Sequence, residues 1–305
     1  MDKILQTLLE KVADLHGVPE GAYNIRANGQ MAGRNTTANI DIVTREDGKG
    51  IDVHIKPGTK KESVHIPVIL SQTGLNETVC NDFFVGDDAD VTIIAGCGIH
   101  NGGDMESRHD GIHRFFVGKN AKLKYVEKHY GEGDGNGKRI LNPGTEVYME
   151  ENSYMEMEMV QIEGVDSTNR SNCAELAAGA KLIVRERLLT HGSQNAESTY
   201  IVNLNGEDSS ADVVSRSVAK DTSKQTFNSK IVGNAKCSGH TECDAIIMDD
   251  AKIFAIPGLI ANNIDAALIH EAAIGKIAGE QIVKLMTLGL TEEEAEAQIV
   301  NGFLK

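Results

Sequence analysis

The sequence predicts a mainly β protein in which a parallel β-helix, or β-solenoid, runs from about residue 20 to residue 265. The first observation is the alternation of apolar and polar residues in short runs such as Ile40–Val43, Val91–Ile93 and Leu182–Val184. The second is a recurring turn motif in which two turn-forming residues precede a small residue, a polar residue and an apolar strand start. The small residues of this motif are Ala89, Ala121, Ser153, Ala180, Ala211, Ala235 and Ala251.

The spacing of the turn motif favours stacked coils. It drifts from 32 residues, between Ala89 and Ala121, to 16 residues, between Ala235 and Ala251. A period that halves is expected when each coil contains two strands. One coil cannot bury its own apolar face, so neighbouring coils must stack to create a continuous narrow core. The alternative is an antiparallel β-sandwich, whose turns recur every ~8–12 residues.

Helices are predicted only at the two ends. Apolar residues at helical spacing predict a short helix at about 2–15, ended by Gly17 and Pro19. Near the other terminus, residues 281–288 form an amphipathic segment, and Thr291 with Glu294 has the capping-box arrangement that starts a second helix. We therefore divide the chain into an N-terminal helix, a parallel β-helix and a C-terminal helical segment, at residues 1–18, 19–265 and 266–305.

Composition excludes several functional classes. With 30 basic and 45 acidic residues the net charge is −15, which argues against binding to nucleic acid or to anionic membranes. Aromatic residues make up 4% of the chain and Trp is absent, so the core must consist of aliphatic residues and Met. No apolar run approaches the ~20 residues that cross a bilayer, and the N-terminus does not resemble a signal peptide. Five widely spaced cysteines predict reduced thiols and a cytoplasmic protein.

Two groups of residues resemble metal sites. The first is Cys237-Ser-Gly-His240-Thr-Glu-Cys243, in which a strand would direct His240 away from the two thiols unless Gly239 interrupts it. The second combines Cys97 with His100, His109 and His113, residue types that bind zinc. In both groups the alternative is that the side chains do not bind one common metal ion. The sequence contains no P-loop, no G-x-S-x-G elbow and no H-E-x-x-H motif, which disfavours an ATPase, a serine hydrolase or a zincin.

Four blocks near the C-terminus together resemble one known family. They are Cys243-Asp244-Ala-Ile-Ile-Met, His270-Glu271-Ala-Ala-Ile-Gly-Lys-Ile, Gly289-Leu-Thr-Glu-Glu-Glu-Ala and Ile299-Val300-Asn301-Gly302-Phe303. In order and approximate spacing they are similar to the core of the SufB/SufD family, the scaffold proteins of the Suf iron–sulfur cluster assembly system. The resemblance extends upstream through Ile94-Ala95-Gly96-Cys97 and covers about residues 65–305.

The resemblance implies a right-handed parallel β-helix and a non-enzymatic scaffold that holds a transient iron–sulfur cluster. It implies that Cys243, Glu271 and His270 build the cluster and that sulfur enters at Cys97. The implied partners are a sulfur donor and a SufC-type ABC ATPase that binds the C-terminal helices. Because SufB-like and SufD-like residues occur in one chain, we expect a homodimer.

Two alternative functions remain at this stage, and some residues have no assigned role. The alternatives are a β-solenoid enzyme that acts on polysaccharide and a structural paralogue that only recruits the ATPase. The sequence assigns no role to Cys80, Cys173 or Cys237 and leaves the His100, His109 and His113 group open.

Overall fold

In the described part of the chain, two ten-stranded sheets face each other and wind as one β-solenoid of about eight turns. The computed structural model describes residues 3–13, 15, 17 and 19–305, with the side chains of residues 3, 5 and 163 outside that description. Each turn contributes one strand to each sheet, and strands of successive turns pair in parallel. The solenoid prediction is therefore confirmed over the sandwich, whereas its right-handed sense remains a prediction.

Sheet 1 contains, in spatial order, β2 (Gln30–Asn35), β1 (Ala22–Ala27), β5 (Lys60–Leu70), β7 (Asp90–His100), β9 (Lys122–Glu132), β12 (Tyr154–Glu163), β14 (Lys181–Thr190), β16 (Ser210–Ala219), β18 (Ser238–Ile247) and β20 (Ala267–Gly275). Sheet 2 contains β19 (Lys252–Ala261), β17 (Lys224–Gly233), β15 (Asn195–Leu204), β13 (Ser167–Leu176), β10 (Arg139–Leu141) with β11 (Gly144–Met149), β8 (Ser107–Val117), β6 (Asn76–Val85), β4 (Ile51–Ile55) and β3 (Ile40–Thr44). The helices are α1 (Lys3–Ala13), α2 (Gly279–Met286) and α3 (Glu292–Phe303).

The turn motif has a conformational cause. At one edge of the solenoid the residue before the small one is left-handed, with φ of 57° at Asp88 and 55° at Asn120, a region that Asp and Asn tolerate. The small residues Ala89 and Ala121 are then fully buried. At this edge the pattern continues at Ser209, after the left-handed Asp208, and Cys237 takes the corresponding position before β18 without a left-handed residue ahead of it. These two positions are two residues away from the predicted Ala211 and Ala235. Ala251 belongs to the opposite edge, which explains the halved spacing.

The N-terminal end of the solenoid is closed. Two antiparallel pairs, β1 with β2 and β3 with β4, terminate the two sheets. Helix α1 lies over the outer face of sheet 1 and buries Leu8, Leu9 and Val12 in a separate apolar cluster. The predicted N-terminal helix is confirmed over 3–13, and residues 2 and 14 of that prediction lie outside the described residues.

The C-terminal end is open. Strand β20 extends to Gly275, so the solenoid continues one strand beyond the boundary predicted at residue 265, and His270 and Glu271 lie on this strand. The predicted capping box between Thr291 and Glu294 is present, and α3 buries Ala295 and Val300. By contrast, most side chains of β19 and β20, the outermost strands, are exposed.

Candidate functional site

Cys97 lies on β7 with its side chain directed into the solenoid and only 7% exposed. The glycines on either side of it allow α1 to approach the outer face of the same strand. A Cβ atom on Gly96 would lie 2.3 Å from the Val12 carbonyl oxygen, and one on Gly98 would lie 3.2 Å from a Leu8 methyl group. The sequence Gly-Cys-Gly therefore suits a strand whose thiol points into the solenoid and whose outer face is covered closely by a helix.

Inside the solenoid, Cys97 hydrogen-bonds to His109 on β8. The Nδ1 atom of His109 is 3.0 Å from Glu77 Oε1, and Arg26 Nη2 is 3.3 Å from Glu77 Oε2. Burial alone would lower the pKa of His109, but Cys97 and Glu77 raise it to about 10. A thiol, an imidazole and a carboxylate are thus connected in that order within the protein interior.

A second series of buried polar side chains begins at His113, four residues along β8 from His109, and extends toward the C-terminal end. His113 Nδ1 is 2.8 Å from the Tyr125 hydroxyl, which donates to Glu127 Oε1 at 2.9 Å. Arg170 donates to Glu127 and lies 3.5 Å from Glu186. Burial alone would raise the pKa of Glu127, but Arg170, with help from His129 and His113, lowers it to about 2. The carboxylate is therefore ionised in the folded protein at neutral pH.

Cys243 stands at the other end of this chain. It lies on β18, is 1% exposed, and neighbours Ser215 in the parallel register. Ser215 donates to Glu186 Oε2 at 2.7 Å, so Glu186 connects Arg170 to the surroundings of Cys243. Burial, followed by the charges of Glu186 and Asp244, raises the pKa of the Cys243 thiol to about 12. Without a metal this thiol stays protonated at neutral pH.

His270 and Glu271 lie beside Cys243 on β20, but they face opposite sides of sheet 1. His270 pairs with the inward-facing Thr241, and its Nδ1 atom is buried without a hydrogen-bond partner. Glu271 pairs with Glu242 and faces outward, with its Oε2 atom 3.5 Å from His240 Nε2. The structure therefore places His270 on the same face as Cys243, and Glu271 on the other face.

Glu271 belongs instead to an outer group of possible metal ligands. One ligand atom from each of His240, Glu242 and Glu271 lies within 4.8 Å of the others. Asp212 Oδ1 is 2.8 Å from His240 Nδ1, which leaves His240 Nε2 directed toward Glu271. A carboxylate that fixes the orientation of an imidazole in this way is common behind metal-binding histidines.

Residues 78–303 match the family model described as the SUF system FeS cluster assembly, SufBD core domain. The chain belongs to the SufBD family. It is 29% identical over 264 residues to the iron-sulfur cluster assembly SufBD family protein of Methanocaldococcus jannaschii, covering 85% of this chain and 82% of that protein. It is 31% identical over 265 residues to a SufBD family protein of Archaeoglobus fulgidus, covering 85% and 69%. The family is one of iron–sulfur cluster assembly, as the resemblance predicts.

The SufBD match contains Cys97 on β7, Cys243 on β18, and His270 and Glu271 on β20. Among the described residues, no helix is both long and apolar enough to cross a membrane. Of the two metal motifs considered from sequence, Cys237-x-x-His240-x-x-Cys243 lacks a common centre, because β18 directs His240 outward and Cys243 inward. In the second motif only His109 bonds to Cys97 among the described histidines, while His100 lies 3.2 Å from Glu132.

Several interior residues were missed by the sequence reasoning. They are Arg26, Glu77, Tyr125, Glu127, Arg170, Glu186 and Tyr200. A usable signal exists in β9, where Leu123, Tyr125, Glu127 and His129 share the inward phase of one alternating strand. A charged residue in the inward phase of a solenoid strand indicates a buried polar site.

Proposed function

We propose that this SufBD chain is a scaffold on which an iron–sulfur cluster is assembled and then released. Sulfur enters at Cys97, and the cluster forms near Cys243 at the open end of the solenoid. The observation that carries this proposal is the series of buried polar side chains that lies between the two cysteines. In this reading the protein is not an enzyme, and the cluster is its cargo.

The polar chain supports transport of sulfur better than it supports stability. Buried ion pairs such as Glu127 with Arg170 contribute little net stability, because desolvation offsets their attraction. The same solenoid also contains an apolar core that runs from Ala22 to Cys243, so the fold does not require charges inside. A row of hydrogen-bond donors and acceptors would stabilise an anionic persulfide or sulfide on its way through the interior.

Iron is proposed to bind on the outer face, at His240, Glu242 and Glu271. Nitrogen and carboxylate ligands of this kind suit ferrous iron. Strand β18 separates the proposed iron site from the interior route of sulfur, because His240 and Glu242 face outward while Thr241 and Cys243 face inward. Since β20 is an edge strand in the described chain, the two faces meet at its free edge, where His270 is also placed.

The open end is proposed to bind a second copy of the chain. Strand β19 carries apolar side chains on both faces, with Phe254 and Ile256 on the outer face and Leu259 on the inner face, which are 52%, 53% and 39% exposed. A strand with two apolar faces is typical of one that is covered on both sides. Its unpaired edge also requires a partner. A two-fold contact here would let both chains contribute residues to the cluster site.

The C-terminal helices are proposed to bind the SufC-type ATPase. Helix α2 buries no residue, and Val283, Met286 and Leu288 of this region are 59%, 42% and 76% exposed. Such an apolar face on a short helix favours docking against another protein. Replacing Val283 and Met286 by Asp should abolish co-purification with the ATPase, whereas Lys284→Ala should preserve it. Retained binding in the double variant would contradict this assignment.

The central proposal is tested by anaerobic reconstitution with iron and a sulfur source. Cys243→Ser should remove the bound iron and sulfide, because no other thiolate is available at that position. Cys80→Ser and Cys173→Ser are matched controls and should retain the wild-type content. Iron and sulfide per chain, measured with the circular dichroism spectrum of each variant, decide the outcome. Equal cluster content in Cys243→Ser and the wild type would refute the proposal.

A further inference from the structure

Glu77, His109 and Cys97 form a connected row in the protein interior. We infer that His109 and Glu77 are positioning residues for Cys97: His109, oriented by Glu77, accepts the proton of the Cys97 thiol as that sulfur attacks the sulfane sulfur of a persulfide. This inference rests on the proposed role of Cys97 as the point where sulfur enters. It adds the groups that orient the thiol and make it reactive.

The geometry has the order of an orienting acid, a base and a nucleophile. Glu77 Oε1 lies 3.0 Å from His109 Nδ1, which leaves Nε2 for the thiol of Cys97. Glu77 is itself fixed, because Arg26 Nη2 lies 3.3 Å from its other oxygen and 3.1 Å from the Gly29 carbonyl. His109 is 3% exposed, so its ring has little freedom to turn away.

The surrounding charges are compatible with an imidazolium at His109. The ionisable groups that face the pair from the adjoining strands are Glu77 on β6, His113 on β8, and Tyr125, Glu127 and His129 on β9. The negative charge of Glu127 is offset by Arg170, which hydrogen-bonds to it. Burial lowers the pKa of His113 and of His129 to about 4, so both rings are neutral at pH 7. The imidazolium next to Cys97 is therefore that of His109.

The reaction conserves electrons without an external oxidant. The proton of the Cys97 thiol passes to His109 Nε2, and the resulting thiolate attacks the outer sulfur of a donor persulfide, R–S–S⁻. A new S–S bond forms on Cys97 while the S–S bond of the donor breaks, and the donor leaves as the thiolate R–S⁻. The products are a Cys97 persulfide anion, which pairs with the His109 imidazolium, and the donor thiolate.

The burial of Cys97 restricts which donor can reach it. At 7% exposure, and with α1 over the outer face of its strand, the thiol is inaccessible to a flat protein surface. A persulfide on a small molecule, or on a thin extended segment of a protein, fits this geometry. Inorganic polysulfide is therefore a suitable probe, because it transfers one sulfur atom to a thiolate and leaves a shorter polysulfide.

The experiment follows persulfide formation cysteine by cysteine in the full-length protein. Reduced protein is treated anaerobically with sodium tetrasulfide at several pH values, and peptide mass spectrometry reports the addition of one sulfur atom. In the wild type we expect Cys97 to react fastest of the five cysteines and to stay reactive at weakly acidic pH. In His109→Gln the rate at pH 7 should fall about tenfold, because an ordinary thiol is largely protonated there. It should then rise steeply with pH.

Glu77→Gln should cause a smaller loss in the same direction, and it decides the question if His109→Gln does not fold. His100→Gln is the matched control, since His100 pairs with Glu132 at 3.2 Å and makes no bond to a cysteine. A rate and pH profile of Cys97 that both variants leave unchanged would overturn the inference while leaving the role of Cys97 intact. Failure of wild-type Cys97 to react with polysulfide would instead contradict the proposed point of sulfur uptake.

Discussion

The two ends of the solenoid differ in both closure and charge. At the N-terminal end, α1 and the antiparallel pairs cover the core, and the buried thiol of Cys97 bonds to His109, whose pKa is raised to about 10. At the C-terminal end the outermost strands are uncovered, and the thiol of Cys243 lies near Glu186 and Asp244. One cysteine thus has a cationic neighbour and the other has anionic neighbours.

This difference would allow two chemically identical side chains to take the different roles proposed for Cys97 and Cys243. A neighbouring imidazolium favours a thiolate, which is the nucleophilic form. Nearby carboxylates keep the other thiol protonated until a metal ion supplies positive charge. A closed end protects a reactive group, whereas an open end allows assembly with another chain. The predictions below test this contrast, beginning with the largest effect.

The largest effect is expected at the open end. Ile256→Glu places a charge on the exposed outer face of β19 and should convert the proposed homodimer to a monomer at micromolar concentration. Light scattering coupled to size-exclusion chromatography measures the mass. Ile201→Glu is the matched control, because Ile201 is 37% exposed on the outer face of β15 and lies away from the open end. A wild-type protein that is monomeric would contradict the dimer itself.

The contrast between the ends was only partly predictable from the sequence. Period-two alternation and the small residues Ala89 and Ala121 predicted the solenoid, because both depend on local backbone geometry. The bond between Cys97 and His109 was not predictable, because its two strands belong to different sheets and only the winding of the coil brings them together. The opposite orientation of His270 and Glu271 follows from simple alternation. The strand itself was missed because the helical segment was placed too early.

The second prediction concerns Arg170, which lies among the buried polar side chains between the two cysteines. Arg170→Met leaves the buried carboxylates of Glu127 and Glu186 without their cation, which should cost about 3–5 kcal/mol in the free energy of unfolding. Urea denaturation measures this loss. The double variant Arg170→Met with Glu127→Gln should recover part of it, since one uncompensated charge is removed. Arg108→Ala, which breaks an exposed pair with Asp110, should change stability by less than about 1 kcal/mol.

The third prediction concerns the stability of the protein at acidic pH and the buried histidines His113 and His129. Burial lowers the pKa of His113 and His129 to about 4, so the unfolded chain binds protons more readily than the folded one. Stability should therefore fall as the pH decreases from 6.5 to 4, by on the order of 3 kcal/mol for each imidazole. Glu127, with a pKa of about 2, should add a further loss below pH 4.5.

Urea midpoints in a pH series test this expectation. His129→Gln should flatten the upper part of the curve, and an unchanged slope would show that this ring is not buried as a neutral group.

The smallest effect is expected at the thiol of Cys243. Burial is the largest cause of its raised pKa of about 12, and the charge of Glu186 is the second. Glu186→Gln keeps the shape and most hydrogen bonds of that side chain, so it removes the second cause and leaves the first. We expect the pKa of Cys243 to fall by up to about one unit, seen as faster alkylation at alkaline pH in peptide mass spectrometry.

Cys237 provides an internal reference, because burial alone raises its pKa and no carboxylate contributes. If the rates at Cys243 and Cys237 rise together, the variant has loosened the fold and has not changed the local charge. If neither rate changes, the charge of Glu186 does not act on Cys243, and burial accounts for the raised pKa of this thiol.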